Sequence, residues 1–164
     1  MLFPSQSSES LVWSTGRSFG VTPASRKLRL VRAIADFVAV TWNPDRLPRL
    51  HSRITPELFV KRVNPKLMAF EVKLSDWRGA LMQANRYRFF AHVPVVVLPE
   101  SKRDAALRHL ETFRIVRVGL WSFDPKTNRI TKHFTPRSAP PLDRRRQLRV
   151  LHLVARVSRA LPIS

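Results

Sequence analysis

The sequence predicts an α/β fold in which a mixed central β-sheet is flanked by helices. Residues 28–42 are rich in β-branched and aromatic residues, and a second apolar stretch begins at Leu67. Apolar residues then recur at helical spacing over 77–84. A continuous apolar run at 93–98 follows, which is typical of a strand buried on both faces by covering helices.

The N-terminal third begins with a serine-rich segment and continues into extended structure. Residues 5–13 are typical of the capped start of a short helix, although the acid-poor residues 1–30 also resemble an organellar transit peptide. We prefer the helix. Residues 28–42 are too long for one typical strand, so we predict two strands, at about 28–33 and 35–42. One bent strand remains an alternative because the joint has no Gly or Asn turn.

Thr55 starts a segment with two interpretations. Thr55 can cap a short helix with Pro56 in its first turn. Alternatively, residues 58–63 form a strand that turns at 64–66 into the next strand. We prefer the helix.

A second helix is predicted directly after Lys73. Ser75 is a suitable N-cap, and Asp76 suits the positive end of the helix. Its predicted buried stripe is Trp77, Ala80, Leu81 and Ala84.

The C-terminal part predicts further elements, which end in a hairpin and a basic helix. We expect a helix at 101–111, a strand at 115–123, a turn at 124–128 and an edge strand at 129–134. After a loop, Asp143 caps a final helix whose apolar stripe is Leu148, Leu151, Val154 and Val157. We expect one domain over 1–164, with a core at about 5–98 and a C-terminal extension at about 99–164.

Composition limits the class of protein. The 164 residues include no cysteine, which excludes disulfides and cysteine-ligated zinc and is compatible with the reducing cytoplasm, where we expect the protein. No apolar run approaches the length of a membrane span, so we expect no membrane partner. With only four glycines there is no Gly-rich phosphate loop, and no nucleophile elbow surrounds a serine.

Charge predicts a polyanionic partner. Thirty Lys and Arg against 11 Asp and Glu give a net charge of +19. Nucleic acid is the commonest such partner, and arginine grips phosphate with two hydrogen bonds. Association with a ribosome or a membrane surface and a GC-rich genome are the simpler explanations. The arginine face of the final helix could lie along a phosphate backbone or could equally be a solvated helix face. The candidate contacts are Arg78, Arg86, Arg88, Arg144, Arg145, Arg146 and Arg149.

The triplet Glu71-Val72-Lys73 is the most informative motif. Successive side chains of a strand alternate faces, so Glu71 and Lys73 share one face. A carboxylate beside an ammonium at a strand end can hold a metal ion and act on a water or a phosphate. The same spacing at 100–102 and 124–126 lies next to prolines, where loops are expected. The alternative explanation is a solvated Glu–Lys pair.

The order of elements resembles that of the restriction-endonuclease-like PD-(D/E)-x-K nucleases. The resemblance covers about 28–98, with 5–15 as a possible first helix, and rests on residues 34–40 and 70–77. Gln83-Ala84-Asn85-Arg86-Tyr87 also resembles the Gln-x-x-x-Tyr motif of nucleases related to the bacterial recombination helicase-nuclease.

The resemblance implies a nuclease that cuts DNA with Mg²⁺ or Mn²⁺. Asp36 and Glu71 would bind the metal, and Lys73 would position the attacking water or stabilise the charged phosphorane. Gln83 would orient the site or contact the substrate, and Tyr87 would support it. Many nucleases of this fold form dimers, so a homodimer is possible.

Two departures from the family pattern keep alternatives open. The separation of Asp36 and Glu71 is longer than usual, and Glu57 offers an alternative first acid at a more ordinary separation; we prefer Asp36 because its strand is stronger. No acid stands at 91–94 to support the site. The alternative function is a catalytically inactive, basic module that binds nucleic acid on the same scaffold.

Overall fold

The central feature is a six-stranded mixed β-sheet whose strand order equals the chain order. The computed structural model describes residues 27–31, 35–43, 46 and 54–158, and the helix expected at 5–15 lies outside them. The strands are β1 (Lys27–Val31), β2 (Phe37–Trp42), β3 (Lys66–Val72), β4 (Val93–Pro99), β5 (Gly119–Asp124) and β6 (Arg129–Phe134).

Strand directions bring several strand ends to one edge. The β1, β2 and β3 strands pair antiparallel, β3, β4 and β5 pair parallel, and β6 returns antiparallel to β5. The predicted mixed sheet and the two separate strands within 28–42 are therefore confirmed. Because β3, β4 and β5 run in the same direction, the residues that follow them meet at one edge of the sheet.

The described helices pack on one face of this sheet. They are α1 (Pro56–Val63), α2 (Trp77–Arg86), α3 (Arg103–Leu107), α4 (Leu110–Val116) and α5 (Arg144–Ser158), with 3₁₀ turns at Tyr87–Phe89 and Glu100–Lys102. Their apolar side chains form a core with alternate residues of the strands, such as Val38, Leu67 and Val96. A smaller cluster that includes Phe70, Val95 and Trp121 lies on the other face.

Local capping explains where α1 and α2 begin. The Thr55 hydroxyl accepts a hydrogen bond from Leu58 N at 3.3 Å, so the helical interpretation of this segment is confirmed and the strand alternative is wrong. The cap of α2 is Asp76 rather than Ser75, because Oδ1 of Asp76 accepts a hydrogen bond from Gly79 N at 2.9 Å. The predicted stripe of α2 is buried.

The segment between β4 and β5 differs from its prediction. The single helix expected at 101–111 is divided between the 3₁₀ turn, α3 and α4. Residues 115–116, expected in a strand, form the last turn of α4, where Phe113 packs into the core and Ile115 is exposed. Arg117 ends the helix in the left-handed region, at φ 59°, and the strand starts only at Gly119.

The C-terminal hairpin and helix complete the fold. The predicted turn and edge strand are confirmed, and both strands of the hairpin extend the central sheet. Asp143 Oδ1 accepts a hydrogen bond from Arg146 N at 3.1 Å, which confirms the predicted cap of α5. The buried stripe of α5 is shifted from the prediction: Leu151 and Val154 are buried as expected, Leu148 is only partly buried, and Gln147, Val150 and Ala155 are also buried. Val157 lies outside the residues whose side chains are described.

None of the described helices combines the length and the apolar character that a membrane crossing requires.

Candidate functional site

Pairing of β2 with β3 places Asp36 opposite Glu71. The last pair of this ladder joins Phe37 to Phe70, so Asp36 and Glu71 are the next residues of the two chains beyond it. Oδ2 of Asp36 accepts a hydrogen bond from Val72 N at 2.8 Å, which fixes this carboxylate at the end of β3.

Glu71 is a fully buried carboxylate with two side-chain partners. Its Oε2 accepts a short hydrogen bond from the hydroxyl of Tyr87. Its Oε1 lies 2.9 Å from Nζ of Lys73 and receives no hydrogen bond from any other described residue. Burial of a carboxylate is unfavourable unless hydrogen bonds or an opposite charge offset the loss of hydration. The hydrogen bond from Tyr87 and the ion pair with Lys73 therefore stabilise Glu71 in its buried position.

Lys73 connects this cluster to solvent. Its backbone N donates to the carbonyl of Val97 at 3.1 Å, which anchors it to β4, while its side chain is 40% exposed. The hydrogen bond and the charge of Glu71 raise the pKa of Lys73, and the charges of Asp36 and Asp76 act in the same direction. Lys73 therefore carries its proton at neutral pH and acts as a cation and hydrogen-bond donor.

The end of α2 and its 3₁₀ turn position the remaining two predicted site residues. The Tyr87 hydroxyl accepts a hydrogen bond from Nε2 of Gln83 at 3.2 Å while it donates to Glu71. Burial raises the pKa of Tyr87 above its ordinary value, and the hydrogen bond to Glu71 raises it further. The phenol therefore stays protonated and remains a donor. Gln83 itself is exposed, one turn before Tyr87.

The other predicted residues lie outside this cluster. Glu57 is exposed in the first turn of α1, and its carboxylate forms no hydrogen bond or ion pair with another described residue. Arg78 stacks over the ring of Trp77 at 4.6 Å, and Arg146 stacks over the ring of Phe89 at 4.7 Å and pairs with Asp143. Arg88 is partly buried, and the other predicted contacts are exposed: Arg78, Arg86, Arg144, Arg145, Arg146 and Arg149.

Two acids near this edge escaped the sequence-based prediction as site residues. The sequence predicts Asp76 only as a residue of the helix end, yet its charge helps to raise the pKa of Lys73. Glu100 directly follows β4 and accepts a short hydrogen bond from the buried Ser122, whose Oγ lies 2.7 Å from Nε2 of His133. The acid-x-Lys spacing at 100–102 is the sequence feature that could have identified Glu100 as a candidate site residue. Spacing alone does not show that the parallel strands bring Glu100 to the same edge of the sheet as Lys73.

The donor atoms at Asp36 and Glu71 fit a hard divalent cation. Oδ1 of Asp36 and Oε1 of Glu71 receive no hydrogen bond from described residues apart from the ion pair with Lys73. Within the described part of the chain, no group of three or more His, Cys, Asp or Glu residues could hold a metal. These two carboxylates suit Mg²⁺, which usually keeps several waters and takes one or two carboxylates plus substrate phosphate.

Comparison of the chain with protein-family models, curated proteins and solved structures found no match. The function is therefore inferred from the side chains and their geometry.

Proposed function

We propose that this protein is a metal-dependent nuclease of the PD-(D/E)-x-K type that hydrolyses phosphodiester bonds in DNA. The observation that carries the proposal is the convergence of Asp36, Glu71 and Lys73 at one edge of the sheet. Two carboxylates can hold a divalent cation that activates a water and polarises a phosphate, and a protonated lysine beside them can stabilise the developing negative charge.

Each residue has a defined role in this proposal. Asp36 and Glu71 would hold Mg²⁺ or Mn²⁺, which polarises the scissile phosphate and lowers the pKa of a bound water when present. Lys73 donates hydrogen bonds from its ammonium to the attacking water or to the developing negative charge. It does not serve as a general base, because its raised pKa keeps it protonated. Tyr87 holds Glu71 in place, and Gln83 in turn orients Tyr87.

The exposure of Lys73 supports a change of partner on substrate binding. Its ammonium now neutralises the buried Glu71 at 2.9 Å. A divalent cation held by Asp36 and Glu71 would supply that neutralisation, and the partly exposed ammonium of Lys73 would then be available to a phosphate oxygen.

DNA as the substrate is supported by charge. The net charge of +19 favours a polyanion, and the exposed arginines of α2 and α5 can contact its backbone. Phosphate contacts of this kind position the nucleic acid without reading its sequence.

The test is cleavage of labelled duplex and single-stranded DNA with Mg²⁺ or Mn²⁺, repeated with a chelator. Lys73→Ala is compared with Lys126→Ala, which removes the same charge from an acid-x-Lys spacing in the β5–β6 turn. We expect the first variant to lose roughly 100-fold in rate, as when an oriented donor is removed from a transition state, and the second to cleave as the parent does. Circular dichroism confirms folding. Undiminished cleavage by folded Lys73→Ala, or full activity with chelator, refutes the proposal.

A second candidate function is supported by the burial of Glu71. This carboxylate is fully buried and already engaged by Tyr87 and Lys73, as in a scaffold that binds without chemistry. An inactive basic module would bind DNA in a salt-sensitive way, with the same affinity in Glu71→Ala and without metal. Turnover by the parent protein that a chelator abolishes excludes this candidate.

A further inference from the structure

A cavity of about 430 Å³ lies at the opposite end of β3 from Glu71. Lys66, the first residue of β3, contributes to its wall, and Glu71 follows five residues later. At about 3.3 Å per residue the two positions are roughly 17 Å apart. The cavity is therefore a site distinct from the carboxylate cluster, and its properties do not depend on the proposed nuclease activity.

The charged residues that line the cavity are all basic. Lys66 and Arg144 are exposed at its mouth, and its wall contains no acid. The nearest acid along the chain, Asp143, is occupied, since Oδ1 accepts a hydrogen bond from Arg146 N and Oδ2 pairs with Arg146 Nε at 3.2 Å. Arg144 is also the first residue of α5, so the positive end of this helix adds to the field. An anion is the ligand that this wall favours.

Gln147 contributes a polar side chain to the cavity wall. The residue is only 5% exposed and lines the cavity. Asn64 and Ser138 line the same cavity and add a second amide and a hydroxyl. Amides and hydroxyls both donate and accept hydrogen bonds, so this wall suits a ligand that has both donors and acceptors.

His92 adds a neutral donor. Its Nδ1 accepts a hydrogen bond from Leu67 N at 3.1 Å, so the proton of the neutral ring is on Nε2. Burial, with a smaller contribution from the charge of Lys66, lowers the pKa of His92 to about 4. At neutral pH the ring is therefore neutral and carries an N–H group, in a cavity wall that also includes the cationic side chains of Lys66 and Arg144.

We propose that this cavity binds a small phosphorylated ligand of the nucleoside monophosphate class. Lys66, Arg144 and the Nε2–H of His92 would contact the phosphate. The amides of Asn64 and Gln147 would pair with the edge of the base, and Val60, Pro140 and Pro141 provide an apolar wall for its ring. The volume exceeds what a bare phosphate fills and lies within the range of small-molecule sites, about 300–1,000 Å³.

The test is isothermal titration of the full chain with adenosine 5′-monophosphate, adenosine and inorganic phosphate, in the presence of a chelator. Arg144→Gln is compared with Arg145→Gln, which removes the same charge from the neighbouring, exposed residue that does not line the cavity. We expect saturable binding of the nucleotide, weakened about tenfold in Arg144→Gln and less than about twofold in Arg145→Gln. Nucleotide should also shift the NMR signals of the His92 ring, assigned with His92→Asn, and not those of the His133 ring.

Four results overturn the proposal. Absence of saturation at millimolar nucleotide excludes the site, and equal affinity for adenosine excludes phosphate recognition. Equal affinity for inorganic phosphate excludes the nucleoside class. Equal weakening in both arginine variants shows unspecific attraction to a basic surface. Binding that persists in Glu71→Gln separates this site from the carboxylate cluster, so the two proposals can fail independently.

Discussion

The hydroxyl of Tyr87 donates a hydrogen bond to Oε2 of Glu71, 16 residues earlier in the chain. This contact ties the 3₁₀ turn after α2 to the end of β3. Since Glu71 is fully buried, the bond stabilises the fold and also orients the carboxylate that is proposed to bind metal.

Tyr87→Phe should destabilise the protein by about 1.5–3 kcal/mol, because it deletes a hydrogen bond to a buried charge without changing the shape of the ring. Denaturant titration measures the loss. Gln83→Ala serves as the comparison, since it removes only the outer, exposed partner and should cost less. Equal stability of Tyr87→Phe and the parent would contradict the stabilising role of this bond.

Titration of the single tyrosine should be displaced to high pH. Tyr87 is the only tyrosine in the chain, so tyrosinate absorbance reports it alone. Burial raises its pKa above 10.0, and therefore its contribution to stability is complete below about pH 10 and is lost as pH rises further. Denatured protein should titrate near 10. An ordinary titration in the folded protein would show that the phenol is accessible.

Asp36→Asn and Glu57→Gln distinguish the two candidates for the first acid. Asparagine retains an oxygen that can accept from Val72 N, so Asp36→Asn should fold normally. We expect it to lose metal-dependent cleavage and to bind Mn²⁺ more weakly, because one anionic ligand is gone. Glu57→Gln should retain both properties, and the reverse pattern would move the metal ligand to α1. Calorimetric Mn²⁺ titration and cleavage assays provide the measurements.

Acidification should destabilise the protein through the partly buried His92. Its pKa is lowered to about 4, so the unfolded chain binds the extra proton first and stability falls as pH drops from about 6.5 to 4. His92→Asn keeps an acceptor for Leu67 N and removes the titration, so its stability should change less over this range. Denaturant titrations at several pH values test this. Burial also lowers the pKa of His133, so the stability of His92→Asn should still fall somewhat on acidification.

Ser122→Ala should destabilise the sheet by about 1–3 kcal/mol. The buried hydroxyl joins Glu100 to His133, and its loss leaves partly buried polar atoms without this partner. Ser101→Ala, at an exposed position beside Glu100, is the matched control and should be nearly neutral. Thermal denaturation compares the two variants. Similar melting temperatures would show that water replaces the hydroxyl at no cost.

Strong periodic patterns predicted much of this fold. The existence of β2 and β4, though not their exact ends, and the stripe of α2 follow from hydrophobic pattern alone. The last turn of α4 could not be predicted in this way. Ile115 and Val116 favour a strand locally, but Phe113 packs the helix against the core. Propensity is a weak local preference that tertiary packing overrides.

The candidate site was predictable only in part. Side chains two residues apart in a strand lie on the same face, so the proximity of Glu71 and Lys73 could be predicted from their spacing alone. The position of Asp36 depends on the pairing of β2 with β3. The roles of Asp76, Glu100 and Gln147 follow from tertiary contacts that no spacing encodes.

The identity of strand order and chain order has a consequence for synthesis on the ribosome. Each strand from β2 to β6 pairs with the described strand made immediately before it, so no described strand must wait for a partner that is distant in the sequence. The pairing that brings Asp36 close to Glu71 uses only residues up to the end of β3. Tyr87 follows later in the chain, and its hydrogen bond to Glu71 can form only after the 3₁₀ turn has left the ribosome.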